Sequence, residues 1–165
     1  MIDIETDVYN ILKNLNINYE VMSHKPVYTS EEAIFITNKM GGIGVKNLFL
    51  KSKHNYYLVL IPENKRANIK YIESQILDGH LSFANDDNLK QILNLTPGSV
   101  TPFGIINDKE NKVIIVIDEE LINKKVLFHP NINTKTIKIN YLDLIKFIEE
   151  YKHKYVVLRK EENYE

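Results

Sequence analysis

Residues 96–104 place two prolines around a glycine and two hydroxyl side chains, in the order Thr-Pro-Gly-Ser-Val-Thr-Pro-Phe-Gly. Proline fixes φ and lacks a backbone N–H, whereas glycine permits backbone angles and close approaches that other residues do not. The composition predicts a stiff, shaped loop in which a ligand approaches the main chain at Gly98. The backbone N–H groups of Ser99, Val100 and Thr101 are then predicted to be free to meet that ligand. A tight turn between a helix and a strand is the alternative interpretation.

Three further side chains have types that suit binding or acid–base chemistry. Lys46 follows glycines at the start of an apolar stretch, where its ammonium group is suited to a phosphate or carboxylate. Asn47 can donate and accept hydrogen bonds at once, which suits recognition of a ribose or an amino acid. His129 ends another apolar stretch before Pro130, so its imidazole is a candidate general base or substrate-binding group. A strand-edge lysine, a turn asparagine and a packed histidine are the structural alternatives.

The sequence argues against covalent and metal-dependent catalysis. It contains no cysteine, and its five histidines show no His-x-x-x-His spacing. Ser99 and Thr101 carry hydroxyls, but their surroundings differ from the Gly-x-Ser-x-Gly nucleophile turn, and no base can be assigned to activate them. We therefore expect no resident metal ion and no cofactor.

Composition narrows the class of protein. Of 165 residues, 44% are hydrophobic and 26% charged, which is typical of one globular domain, here residues 1–165. The formal net charge of −1 argues against a broad nucleic-acid surface and against DNA, but allows contact with one end of a nucleic acid. No apolar run approaches the length of about 18 residues that a membrane span requires, and no signal-peptide core is present. We expect a cytoplasmic protein.

Hydrophobic periodicity predicts the elements that would position these residues. Helices are predicted after Asp3, from Ser30 to about Met40, from Ile69 to Leu77, from a cap at Asp86 or Asp87 to Leu93, and after Asn140. Strands are predicted over residues 19–24, 44–50, 56–61, 81–84, 103–106, 112–118, 126–129 and 134–139. Adjacent strands with short connections predict an α/β domain with a mixed, mostly antiparallel sheet or a partly closed barrel, flanked by helices. A doubly wound fold is not expected, because no Gly-x-Gly-x-x-Gly follows a strand.

Four segments, taken together and in order, resemble one known family. They are residues 44–50, 81–84, 97–104 and 128–131. The sequence is similar to the YbaK and prolyl-tRNA-synthetase-associated editing-domain family, and most of all to its free-standing PrdX-type branch, the bacterial alanyl-tRNA(Pro) deacylases. The most specific parts of the match are the pair Lys46-Asn47 and the Gly-x-x-x-Pro loop.

The resemblance implies a YbaK-like fold and an aminoacyl-tRNA deacylase. Such an enzyme hydrolyses the ester between a wrong amino acid, typically alanine, and the 3′ end of proline tRNA, using a positioned water and the substrate's terminal ribose hydroxyl. The acceptor end of mischarged tRNA(Pro) is the expected partner, and prolyl-tRNA synthetase is a second candidate. By this resemblance the catalytic residues are Lys46, Gly98, Ser99, Val100, Thr101 and Pro102. The substrate-binding residues are Asn47, Phe103, Gly104 and His129.

Editing of this kind is needed because a synthetase discriminates only weakly against amino acids that are smaller than its own substrate. One methylene changes binding by only about 1–3 kcal/mol, so a synthetase that accepts proline cannot fully reject alanine. We expect a second pocket, too small for proline, with Val100, Thr101 and Pro102 as its wall near His129. Two alternatives stay open, namely a non-catalytic sensor of aminoacyl-tRNA or an amino acid, and a deacylase for another amino acid such as cysteine or serine.

Overall fold

The computed structural model describes residues 4–160, so the predicted cap Asp3 lies outside the described residues. The helices are α1 (Ile4–Asn14), α2 (Ser30–Met40), α3 (Ile69–Ile76), α4 (Asp86–Leu93) and α5 (Tyr141–Glu150). The strands are β1 (Glu20–Ser23), β2 (Ile43–Lys51), β3 (Tyr56–Pro62), β4 (Ser82–Phe83), β5 (Val113–Asp118), β6 (Lys125–Phe128), β7 (Lys135–Asn140) and β8 (Tyr155–Leu158). None of the described helices combines the length and apolar character that crossing a membrane requires.

The strands form one mixed sheet of eight strands, in the order β1-β7-β6-β2-β3-β5-β8, with β4 paired to β2 off this path. Antiparallel pairs join β1 to β7, β7 to β6, β2 to β3 and β2 to β4. Parallel pairs join β6 to β2, β3 to β5 and β5 to β8. The predicted mixed α/β fold is confirmed. The order is an open path, so the sheet is not a closed barrel.

The central strands β3 and β5 are buried on both faces, which accounts for their continuous apolar sequences. One face packs against the larger core with Leu58, Leu60, Ile115 and Ile117. The opposite face packs against α3 with Tyr57, Val59, Ile61 and Val116. Successive side chains of a strand point to opposite faces, so both sets follow from a period of two. Strand β3 pairs along most of β2, which places β2 at the centre of the sheet between β3 and β6.

The predicted strand over residues 103–106 is wrong, because the chain forms a 3-10 helix over Pro102–Asn107. Pro102 starts this helix with its φ already fixed, and the Thr101 hydroxyl accepts a hydrogen bond from the Phe103 N–H at 3.5 Å. A Cβ at Gly104 would lie 2.6 Å from the Leu95 side chain, so glycine lets the 3-10 helix pack closely against the segment after α4. Burial of residues 102–106 explains why this part of the helix shows no polar face.

Two further details differ from the sequence-based predictions. The cap of α4 is Asn85 rather than Asp86 or Asp87, and its side chain accepts from the Asn88 N–H at 2.8 Å. Strand β8 was not predicted, since residues from 152 onward alternate only weakly. It forms because its backbone pairs in parallel with the free edge of β5.

Candidate functional site

A cleft opens where the start of β2 meets the loop after α4, the start of α2 and the end of β6. It brings together half of the predicted site residues, namely Lys46, Asn47, Gly98, Val100 and His129. Strand β2 supplies the lysine and the asparagine, the proline-glycine loop supplies Gly98 and Val100, and the histidine directly follows β6. These residues are distant in sequence, and the sheet topology alone brings them together.

The other predicted site residues do not line this cleft. Ser99, Thr101, Pro102, Phe103 and Gly104 are buried behind it, and Thr101 and Phe103 have 0% of their surface exposed. The Phe103 ring packs in the core, with its centroid 5.2 Å from that of Phe147. Of the predicted wall, only Val100 faces the cleft. The other five residues form the buried side of the loop and support it from the protein interior.

The loop exposes fewer backbone donors than predicted. The Ser99 N–H is not free, because it donates to the Thr96 carbonyl at 2.9 Å in a turn that Pro97 begins. The Val100 and Thr101 N–H groups have no hydrogen-bond partner within the described chain. Val100 is the one of these two residues that lines the cleft, so its N–H is the better candidate to meet a ligand.

Gly98 is needed for clearance rather than for an unusual backbone angle. Its φ is not positive, but an added Cβ would lie 3.3 Å from Asn133 Nδ2. The Asn133 amide in turn holds the segment before α2, since Nδ2 donates to the Val27 carbonyl at 3.0 Å and Oδ1 accepts from the Val27 N–H at 3.3 Å. Asn133 thus ties Val27, which lines the cleft, to the β6–β7 connection, and its amide lies beside Gly98.

Replacing Asn133 with alanine is expected to loosen this wall of the cleft without unfolding the sheet. Hydrogen bonds of this kind each contribute about 0.5–1.5 kcal/mol, so the Val27 amide should exchange its hydrogen about three- to tenfold faster. Amide exchange followed by NMR measures this, and the amides of β5 serve as the internal reference. The clamp assignment is contradicted if Val27 exchanges at the native rate.

Lys46 is half-buried and carries donors that the protein does not use. Its Nζ donates to the Lys65 carbonyl at 3.0 Å. Lys65 is itself fixed by ion pairs to Asp118 at 2.8 Å and Glu120 at 3.1 Å. No carboxylate of the described chain lies within ion-pair distance of Lys46. Its ammonium group therefore has two N–H groups available to an anionic or polar ligand.

Two acceptors lie in the same cleft, namely Asn47, which the sequence indicated, and Glu63, which it did not. Asn47 donates from Nδ2 to the Val45 carbonyl at 3.3 Å, but its Oδ1 is buried without a hydrogen-bond partner in the described chain. Glu63 lines the cleft directly after β3, with its backbone N–H donating to the Gly44 carbonyl at 2.9 Å. Its carboxylate occupies the space that a side chain at position 44 would fill, so glycine allows the carboxylate to lie against β2 in this position.

His129 presents a neutral acceptor at the cleft. Burial lowers the pKa of its imidazole, the hydrogen bond to the Lys135 carbonyl opposes this, and the charge of nearby His24 lowers the pKa further. Nδ1 lies 2.8 Å from the Lys135 carbonyl oxygen, which can only accept, so Nδ1 carries the hydrogen. The ring is therefore neutral at pH 7 and Nε2 is an acceptor.

Thr136 belongs to the inner wall, by which we mean the lining of a smaller cavity that shares His129 with the cleft. In the described chain, Thr136 is the one residue whose hydroxyl hydrogen-bonds to a histidine, with Oγ1 2.8 Å from His24 Nε2. His24 Nδ1 lies 2.7 Å from the Lys25 carbonyl, and the His24 and His129 ring centroids are 6.0 Å apart. Between residues 4 and 160, no group of three or more His, Cys, Asp and Glu side chains is placed to hold a metal ion.

Comparisons with known proteins agree on one family. The family model for the aminoacyl-tRNA editing domain matches residues 24–147. The chain is 38% identical over 141 residues to the prolyl-tRNA editing protein ProX of Acetoanaerobium sticklandii, which covers 84% of this chain and 86% of that protein. It is 30% identical over 161 residues to the prolyl-tRNA synthetase associated domain-containing protein 1 of Danio rerio, covering 95% and 88% of the two chains.

A solved structure supports the fold. The crystal structure of a candidate trans-editing enzyme for prolyl tRNA synthetase superimposes with a TM-score of 0.74. It covers 98% of this chain and 99% of that one, at 16% sequence identity. At that identity the likeness concerns the fold alone.

Proposed function

Because the chain belongs to the aminoacyl-tRNA editing domain family, we propose that it hydrolyses the ester joining a wrong amino acid, alanine first, to proline tRNA. The observation that carries the proposal is that one cleft is lined by both hydrogen-bond donors and acceptors that the protein does not use. The donors belong to Lys46, and the acceptors belong to Asn47 and Glu63. An aminoacylated 3′ end offers a ribose and phosphates beside a small amino acid, which suits both kinds of group. The ProX relative is named for the same editing.

The proposed reaction is attack by a water molecule on the ester carbonyl. The water oxygen bonds to the carbonyl carbon, the bond from that carbon to the ribose oxygen then breaks, and a proton given up by the water passes to the ribose oxygen as the free amino acid leaves. The Val100 N–H donates to the carbonyl oxygen as negative charge develops there. Lys46 holds the terminal nucleotide, and the neutral His129 Nε2 accepts a hydrogen bond from the water or the ribose hydroxyl. Positioning and charge stabilisation together supply the rate, since an ester is already activated.

A hydroxyl nucleophile is the less favoured route. Ser99 and Thr101 lie behind the cleft, as described above. Thr136 does meet a base, but its surface is only 6% exposed and its hydroxyl is held by His24. We assign Thr136 to shaping the inner wall.

Selection by size follows from the apolar part of the lining. The side chains of Val27, Val45 and Val100 face the cleft, and the Asn133 clamp fixes the position of Val27. A methyl group needs less room than the proline ring, so a rigid wall of valines admits an alanyl ester and hinders a prolyl ester. Selectivity for alanine is thus proposed to depend on rigidity as well as on width.

The test is amino-acid release from alanyl- and cysteinyl-tRNA(Pro), measured alongside binding of the same charged tRNAs. We expect catalytic turnover, with alanine released faster than cysteine. Binding without release would contradict the proposal and favour the alternative of a non-catalytic sensor. Faster release of cysteine would keep the deacylase and overturn the choice of alanine.

Association with prolyl-tRNA synthetase is a second proposal. The Danio rerio relative carries a prolyl-tRNA synthetase associated domain in its name. A synthetase partner would supply the tRNA selection that contact with the acceptor end alone does not provide.

A further inference from the structure

Glu63 is the single acidic side chain among the described residues that line the cleft. Its carboxylate is half-buried against Gly44, in the space that a side chain there would fill, and no side chain of the described chain bonds to it. Carboxylates withdrawn from bulk water are usually paired with a donor or a cation. The reaction proposed above gives this carboxylate no specific partner on the substrate.

The orphan oxygen of Asn47 points to the same missing donor. Asn47 Oδ1 is buried and has no hydrogen-bond partner in the described chain, while its Nδ2 is already used by the Val45 carbonyl. Buried polar atoms in folded proteins are nearly always hydrogen-bonded, so such an acceptor needs an explanation. A ligand N–H in the cleft provides one.

An ammonium group fits these acceptors. It has N–H donors, no acceptor and a positive charge, which match one unpaired carboxylate and one unpaired amide oxygen. An aminoacyl ester carries such a group on the carbon next to its carbonyl. We propose that Glu63 and Asn47 bind the α-ammonium group of the aminoacyl substrate, an inference that rests on the function proposed above.

This assignment places groups of opposite charge in the cleft, which defines the direction in which the substrate binds. Lys46, with no carboxylate paired to it, attracts the phosphate and ribose of the terminal nucleotide, and Glu63 attracts the ammonium at the other end of the ester. Two charges of opposite sign fix the direction in which the ester enters, so that its carbonyl reaches the Val100 N–H. Esters without a free amine lose one of the two anchors.

The experiment compares alanyl-tRNA(Pro) with N-acetyl-alanyl-tRNA(Pro) under single-turnover conditions. The acetyl group removes the charge of the amine and leaves the ester intact. We expect the native protein to hydrolyse the free-amine substrate about 50-fold faster, the effect of a hydrogen bond to a charged group. Glu63→Gln keeps the shape of the side chain but removes its charge, and should lose most of this preference by slowing only the free-amine substrate.

Two outcomes would overturn the assignment. Equal slowing of both substrates by Glu63→Gln would make Glu63 a general base or a structural group, and an unchanged preference would give it no role. Glu149→Gln, an exposed change of the same kind on α5, is the matched control. Thermal unfolding of Glu63→Gln checks that the variant is folded.

A binding measurement separates this inference from the function on which it rests. Adenosine carrying alanine through a 3′ amide cannot be hydrolysed as an ester, and its N-acetylated form lacks the ammonium. Native protein should bind the free amine more tightly, and Glu63→Gln should bind both forms alike. If the native protein hydrolyses no aminoacyl-tRNA but shows this preference, the proposed function fails and the ammonium site stands. If it shows no preference, the site fails as well.

Discussion

Lys46→Ala is expected to slow the release of alanine from alanyl-tRNA(Pro) by about 100-fold or more in kcat/KM. A hydrogen bond to a charged group contributes about 1.5–3 kcal/mol, which corresponds to roughly 10- to 150-fold in rate. Misplacing the ester relative to the Val100 N–H adds to this loss, because a displacement of about 1 Å in a reacting group can cost about 100-fold. The side chain is half-buried, so part of the interaction is shielded from solvent.

Single-turnover rates of the native protein and the variant measure the effect. Lys53→Ala is the matched control, because it removes the same charge from the exposed turn at the far end of the β2–β3 hairpin. Lys46→Met retains an unbranched apolar side chain and separates loss of charge from loss of packing. A Lys46→Met rate within about threefold of native would remove Lys46 from the reaction.

The second large effect concerns stability and lies outside the cleft. Asp108 and His153 form a buried pair, with side chains 3% and 1% exposed and 2.9 Å between Oδ2 and Nε2. His153 Nδ1 lies 2.9 Å from the Tyr151 carbonyl oxygen, which can only accept, so a proton must be shared between Nε2 and the carboxyl group. The same Oδ2 accepts the Val113 N–H at 2.9 Å. The pair thus links the segment before β8 to the start of β5.

Asp108→Ala is expected to lower the free energy of unfolding by about 3–5 kcal/mol, because it leaves His153 Nε2 and the Val113 N–H buried without partners. Urea unfolding of the native protein, Asp108→Ala, His153→Ala and the double variant measures this. We expect the two single losses to sum to more than the loss in the double variant, which is the mark of a direct interaction. Additive losses, or a loss below about 1 kcal/mol for Asp108→Ala, would show that the pair is not a structural link. Any protein that stays folded should keep its deacylation rate.

The long strands were predictable from local sequence. Strands β2, β3 and β5 begin and end within about two residues of their predicted bounds. Strands β3 and β5 are continuous apolar runs between turn residues, as expected of strands buried on both faces, and β2 pairs with β3 in a hairpin. Strand β8 was not predictable in this way, since its pairing depends on a free edge of β5 that only the folded sheet presents.

The apolar run after Pro102 could not be assigned from its pattern. A segment buried on every side shows neither the alternation of a strand nor the polar face of a helix. Proline before the run and the Thr101 cap were signals for a helical turn, but a strand has the same apolar composition. Burial of Phe103 and Gly104 then followed from the fold and removed them from the cleft.

The cleft was predictable in part. Lys46 and Asn47 were indicated by their position after glycines at the start of a strand. Glu63 could have been predicted from the β2–β3 hairpin. Its register pairs Val45 with Pro62 and so places residue 63 opposite Gly44. The role of Asn133 could not be predicted from the sequence, since its partner Val27 lies 106 residues earlier in the chain.

The most direct test of the central claim is the ratio of hydrolysis rates for alanyl-tRNA(Pro) and prolyl-tRNA(Pro), measured in one reaction with the two amino acids separately labelled. Rapid release of alanine with proline released at least about 100-fold more slowly is the result we predict, because the valine wall admits a methyl group and hinders a ring. Equal rates for the two esters, or no release of either, would contradict the assignment of this cleft to the editing of proline tRNA.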